Sequence, residues 1–193
     1  MSTTTNKKSV IREWVESIVI ALILAMVIRT FIVQAFKIPT GSMRTTLLEG
    51  DRIIVNKFIY GVTIPFTEIR LPKLKDPQRL DVIVFVYPED KSRDFIKRLI
   101  AFGGEAVEIK NGDIYVNGEL IDDPKIRGIH YYNRGNFGKE GKPIIVPEGS
   151  FFVLGDNSAS SRDSRYWGFV PEDLLIGKAI LIYWPVDRVR ALQ

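Results

Sequence analysis

The sequence predicts a mainly β domain held by one N-terminal transmembrane helix. Two observations carry this expectation: an uncharged apolar run close to the N-terminus, and a series of β-branched and aromatic runs after it, broken by Gly, Pro and Asp. With 193 residues the chain can build one membrane-proximal domain of about 150 residues with a real core, but not two full domains. Its apolar share of 46% and charged share of 26% are ordinary for a globular protein, so the core needs no cofactor, metal or disulfide.

The first element is the anchor. Residues 17 to 28 carry no charge, and an apolar run resumes after Arg29. A spanning helix needs roughly 20 residues to cross about 30 Å of hydrocarbon. Counting from residue 14 to 32 reaches that length, with Glu16 and Arg29 near the ends, where Arg can snorkel to the interface. A cleaved signal peptide and a buried core helix are the alternatives, yet no small-x-small cleavage site follows the run cleanly. Lys7, Lys8 and Arg12 precede it, so the positive-inside rule leaves residues 1–13 in the cytoplasm and puts residues 33–193 on the outer face of the membrane.

The body follows. Extended runs are expected at 52–58, 81–87, 93–100, 106–110, 150–154 and 175–183, which together read as an antiparallel, barrel-like sheet. Asn111-Gly112 is a two-residue hairpin signal, and Asn117-Gly118 starts another turn. Residues 119–147 are rich in turn residues and read as a small irregular, non-catalytic subdomain.

Composition excludes several chemistries. The chain has no cysteine, which removes thiol nucleophiles, thiolate metal sites and disulfides. The net charge of +4 is spread along the chain without a basic-aromatic motif, so no nucleic-acid partner is expected. The single histidine, His130, lies in a polar, glycine-rich stretch that suits an oriented imidazole poorly. If the chain is a hydrolase, a lysine is therefore the better base.

Ser42 in Pro39-Thr-Gly-Ser-Met43 and Lys97 in Phe95-Ile-Lys-Arg-Leu99 are the candidate pair. A serine hydroxyl needs an adjacent base, and a lysine amine serves only when neutral. Lowering its pKa from about 10.4 to near 8 corresponds to roughly 3 kcal/mol, within the reach of desolvation, so Lys97 must point into an apolar pocket. Strand alternation puts Lys97 on the face opposite Ile96 and Arg98. Taken singly, Ser42 also fits an ordinary turn residue and Lys97 a solvent-facing strand residue. A third stretch, Gly155 to Pro171, is dense in hydroxyls and carries Asp163 and Arg165, which can shape a loop around a buried amine.

Together these stretches resemble the bacterial type I signal peptidase, or leader peptidase, family. The resemblance rests on Phe36-Lys-Ile-Pro-Thr-Gly-Ser-Met43, Leu47-Leu-Glu-Gly-Asp51, Asp81-Val-Ile-Val-Phe85, Lys97-Arg98 with Gly103-Gly-Glu105, and Gly155-Asp-Asn157 with Ser161-Arg-Asp-Ser-Arg-Tyr-Trp-Gly-Phe-Val-Pro171. It implies a membrane-bound serine endopeptidase that removes signal peptides from exported preproteins, with the preprotein and the lipid bilayer as its partners. Ser42 would be the nucleophile and Lys97 the general base. Thr40 would complete an oxyanion hole with the Ser42 backbone N–H, and Ser161 would orient the lysine. Asp163 and Arg165 match a structural ion pair. Phe36, Ile38, Met43, Leu47, Ile53, Val84, Phe95 and Ile96 correspond to the linings of shallow pockets for small residues. Ala101-Phe-Gly-Gly-Glu departs from the Gly-Leu-Pro-Gly-Asp type of segment common in the family, which bears on the local turn. Two other readings fit the same residues: a self- or partner-cleaving Ser/Lys protease, and a non-enzymatic anchored β-domain acting as a scaffold for exported chains.

Overall fold

The structure is a computed structural model and describes residues 10–61 and 72–192. It opens with α1 (Val10–Val27), followed by a π-helical turn over Ile28–Ile32 and the strand β1 (Val33–Lys37). The span expected over residues 14–32 is thus not one α-helix. Among the described residues no helix is long and apolar enough to cross a membrane. The reason lies in α1 itself, whose first two turns hold Arg12, Glu13 and Glu16, and whose regular winding stops at Val27. None of its residues is buried, and Ile18, Leu22, Ile23, Leu24 and Met26 are all well exposed.

The strands that follow are β2 (Arg52–Asn56), β3 (Val82–Val86), β4 (Asp94–Phe102), β5 (Ala106–Lys110), β6 (Asp113–Val116), β7 (Glu119–Leu120), β8 (Ile144–Ile145) and β9 (Ser150–Leu154). After them come the short helix α2 (Ser164–Trp167), then β10 (Val170–Pro171), β11 (Leu175–Trp184) and β12 (Arg190–Ala191). The strands form two antiparallel sheets. One has the order β1-β2-β11-β3-β4-β9-β10 with β12 added to β11, and the other the order β7-β6-β5-β8. The fold is therefore mainly β. Register shifts along β11, against both β2 and β3, curl the large sheet, since an extra residue in one strand bends it and raises its twist.

All six runs expected as strands lie in strands, with ends shifted by a few residues. β1 is an addition: Val33–Lys37 leaves the helical run because it pairs along its whole length with β2, Phe36 opposite Ile53 and Lys37 opposite Arg52. Asn111 and Gly112 both take positive φ, the backbone of a primed two-residue turn, and join β5 to β6. Residues 119–147 are less separate than expected. Their ends, β7 and β8, belong to the second sheet, and Ile126, Tyr131 and Val146 are buried in one cluster with Ile100, Val107, Phe152 and Leu154.

Period-two alternation in β3 explains why the large sheet is covered on both faces. Val82 and Val84 join a cluster with Met43, Leu47, Ile53 and Ile182, while Ile83 and Phe85 join another with Leu99, Phe151 and Val153. A central strand buried on both sides makes β4, its neighbour, a rigid place for functional side chains. The Phe85 ring, fully buried in the second of these clusters, is expected to contribute strongly. Phe85→Ala should lower unfolding free energy by about 3–5 kcal/mol in a urea titration.

Candidate active site

Ser42 sits in a single 3-10 turn, Gly41–Met43, on the chain leaving β1. Its turn is pinned from the loop after β9: the Asn157 N–H donates to the Ser42 carbonyl at 3.0 Å and the Asn157 side chain to the Gly41 carbonyl at 2.9 Å. Lys97 projects from the middle of β4, opposite Ile83 on β3. The two residues are 55 positions apart, and the fold joins them: Lys97 Nζ lies 2.8 Å from Ser42 Oγ and 2.9 Å from the Ile96 carbonyl.

The lysine is 3% exposed, and its Nζ lies 5.3 Å from the centre of the Phe95 ring. That ring stacks on Tyr87 at 4.3 Å and is flanked edge-on by Trp167, so the wall beside the amine is a fixed aromatic cluster. Burial pushes the Lys97 pKa down to about 8, against the opposing pull of the Asp163 and Asp156 charges. An amine with this pKa is neutral in an appreciable fraction of molecules near neutral pH. Desolvation is the larger effect, and both carboxylates are themselves paired with arginines.

Those arginine pairs are the scaffolding of the site. Asp163 and Arg165 are both fully buried and joined in a fork, Nε to Oδ1 at 2.7 Å and Nη2 to Oδ2 at 2.8 Å. Asp163 also accepts the Gly155 N–H at 3.0 Å. Arg98 points to the other face of β4 from Lys97, where its Nε donates to Asp156 at 2.8 Å and its Nη1 to the Leu80 carbonyl at 2.8 Å. Thr46 completes that second network through Arg98 Nη2 and Asp156. Two adjacent strand residues, one on each face, are thus both buried cations in different settings: Arg98 keeps its charge through a bidentate partner, and Lys97 has none.

Ser161 is buried, and its hydroxyl has no hydrogen-bond partner among the described residues. It packs where Gly155 turns: a Cβ on Gly155 would come 2.1 Å from Ser161 Oγ and 2.5 Å from the Ser42 carbonyl oxygen. Only glycine allows the two chains to approach this closely. Thr40 is exposed and lines the same open cleft as Ser42 and Lys97, a space of about 400 Å³ that also has Phe95, Ile96, Asn157 and Arg162 on its walls.

Of the eight apolar residues singled out as pocket linings, Phe95 and Ile96 face this cleft. Ile38, Met43, Leu47, Ile53 and Val84 are instead core residues, 2% exposed or less, and Phe36 packs half-buried against their cluster. The cluster forms an apolar layer behind the Ser42 turn. Sequence reading assigned no role to Asn157, Arg98, Asp156 or Thr46. A usable signal existed in Lys97-Arg98, because on a strand with one face covered two neighbouring cations cannot both face solvent, and a buried Arg demands a carboxylate. Among the described residues no cluster of three or more His, Asp or Glu side chains is arranged to hold a metal ion.

Comparison with known proteins places this chain in a family. A family model described as signal peptidase, peptidase S26, matches residues 11–184. The chain belongs to the signal peptidase family. It is 39% identical to a probable signal peptidase I-2 of Synechocystis, over 93% of this chain and 77% of that protein. It is 34% identical to signal peptidase I of Pseudomonas aeruginosa, over 97% and 78%. Identity is also 34% to signal peptidase I P of Bacillus subtilis subsp. natto, over 96% and 95%. The chain is accordingly a peptidase of the serine endopeptidase class. Ser42, Lys97 and the Gly155–Arg165 loop all lie inside the matched region.

The buried lysine also sets a pH dependence of stability. With a folded pKa near 8 and an ordinary value of 10.5, the unfolded chain binds more protons between these limits, so stability rises as pH rises from about 8 toward 10.5. Below about 8 the folded state carries the full penalty of a dry ammonium. Lys97→Met should remove this slope and raise the melting temperature at pH 7, as calorimetry across that range can establish; an unchanged slope would show that the lysine is not desolvated.

Proposed function

We propose that this signal peptidase family member removes N-terminal signal peptides from exported preproteins at a membrane surface, with Ser42 as nucleophile and Lys97 as general base. The observation that carries the reading is the 2.8 Å contact between Lys97 Nζ and Ser42 Oγ, made inside a dry pocket at the floor of an open cleft. Geometry and proton affinity agree there: the amine is within hydrogen-bond reach of the proton it takes, and burial brings its pKa near the operating pH.

The steps follow from that pair. Neutral Lys97 takes the proton of Ser42 as Oγ attacks the carbonyl carbon of the scissile bond. Negative charge develops on the carbonyl oxygen, where the Ser42 backbone N–H and the Thr40 hydroxyl on the cleft wall serve as donors. As the C–N bond breaks, the ammonium of Lys97 returns the proton to the leaving amine, and an acyl-enzyme on Ser42 remains. Water then gives a proton to Lys97 as it attacks the ester carbonyl, and Lys97 passes that proton to Ser42 Oγ as the C–O bond breaks, releasing the acid product and restoring the neutral amine. Ser161, whose buried hydroxyl has no partner among the described residues, is suited to orient the amine through this cycle. Asp163 and Arg165 hold the loop and take no part in proton transfer.

Small side chains before the cut fit a cleft walled by Phe95 and Ile96 and backed by the apolar layer of Phe36, Ile38, Met43, Leu47, Ile53 and Val84. Anchoring falls to α1, which turns all of its apolar residues outward. Such a helix is stable only in an apolar medium or against a partner. With Lys7, Lys8 and Arg12 on the cytoplasmic side, the cleft opens on the outer face, where the end of a membrane-inserted signal peptide emerges.

The test is cleavage of a preprotein in detergent. Ser42→Ala and Lys97→Ala should each lower the rate by about a thousandfold or more, while circular dichroism shows an intact fold. For the unaltered protein the rate should rise through a one-proton limb centred near pH 8, because the base works only after losing its proton. Near-native cleavage by either folded variant would rule the dyad out.

A further inference from the structure

Residues 131–138, in the excursion between the two short edge strands β7 and β8, reach over and grip the loop that holds Ser161 and Asp163. The contacts converge on Arg165. Its Nη1 donates to the Tyr132 carbonyl at 2.9 Å and to Ser158 Oγ at 2.7 Å, and the same Ser158 Oγ accepts the Tyr132 N–H at 2.9 Å. The Phe137 N–H donates to the Arg165 carbonyl at 2.9 Å, and Arg134 Nη1 to the Ala159 carbonyl at 2.7 Å.

The fit is closest at Gly135, which has φ +69°. A Cβ there would stand 2.1 Å from the Arg165 carbonyl oxygen and 2.6 Å from its carbon, backbone atoms that cannot move aside alone. Gly138 is similarly pressed, its Cβ position 2.9 Å from Arg165 Cγ. Asn133 closes the segment on itself and on β5 by donating to the Gly138 and Ile109 carbonyls. The excursion is thereby tied to the second sheet at one end and to Arg165 at the other.

From Arg165 the path to the lysine is short. Arg165 holds Asp163, Asp163 holds the Gly155 N–H, and Gly155 is wedged between Ser161 Oγ and the Ser42 carbonyl. The charged groups around Lys97 are Asp163 and Asp156, each paired to its arginine, and the buried Tyr131 hydroxyl of the excursion lies in the field of both pairs. Loosening Arg165 would therefore shift the wall that keeps the amine dry.

We infer that the 131–138 segment is a positioning element for the catalytic lysine, acting through Arg165 on the loop of Ser161 and Asp163. This rests on the proposed Ser42–Lys97 dyad. It gives the excursion a catalytic consequence although none of its residues lines the cleft.

The decisive comparison is Gly135→Ala with Gly141→Ala. Both residues have positive φ within the excursion, +69° and +67°, so alanine strains the backbone equally. Nothing lies within 4 Å of a Cβ on Gly141. Gly135→Ala should lower kcat for preprotein cleavage by about tenfold to a hundredfold and move the acid limb of the rate upward by about one pH unit, since water reaching the amine raises its pKa. Gly141→Ala should leave both at their native values. If Gly135→Ala does not fold, Arg134→Ala takes its place and should show the same upward shift with a fall in kcat of about threefold. Native kcat and a native acid limb in the folded variant, or an equal loss in Gly141→Ala, would overturn the inference. Lys97→Ala run alongside separates the two ideas, because its retained activity would count against the dyad itself.

Discussion

The surroundings of Lys97 follow from keeping one ammonium-forming side chain out of water. Lys97 is useful as a base only if desolvation outweighs two nearby carboxylates, and each carboxylate is accordingly matched by a buried guanidinium, Arg165 for Asp163 and Arg98 for Asp156. An unpaired carboxylate at either place would hold the lysine charged. The two arginines thus act on the amine indirectly, by fixing and neutralising the charges around it.

Building this environment needs a central strand with both faces covered. β4 sits between β3 and β9, with Lys97 and Arg98 aimed to opposite sides, and separate apolar clusters close each side. Ser42, in contrast, is carried on a one-turn loop. Asn157, in the loop after β9, fixes it by donating to two consecutive carbonyls of that turn. Serine and lysine are therefore held by different means, one by tethering and the other by packing.

Strands β2, β3, β4, β9 and β11 of the large sheet were readable because each carries a β-branched or aromatic run ended by a turn residue, and the Asn111-Gly112 hairpin because only residues tolerant of positive φ make that turn. β1 was hidden inside an apolar stretch, which helix and strand share as a signal; pairing with β2 decided it. The pocket residues show the same ambiguity. Met43, Leu47 and Ile53 are apolar in the way either a pocket or a core requires, and their burial puts them in the core behind the cleft.

By itself the sequence determined which chemistry was open to this protein. The absence of cysteine and one poorly placed histidine left serine with lysine, and the ordered motifs pointed to the family that the comparisons then established. Tertiary structure alone decided that the pair meets at 2.8 Å, that Arg98 and Asp156 neutralise each other beneath it, and that the excursion grips Arg165. The physical reason is range. Residue type and local pattern act over a few positions, whereas the dryness that lowers the proton affinity of Lys97 is assembled from segments more than fifty residues apart, and only packing brings those together.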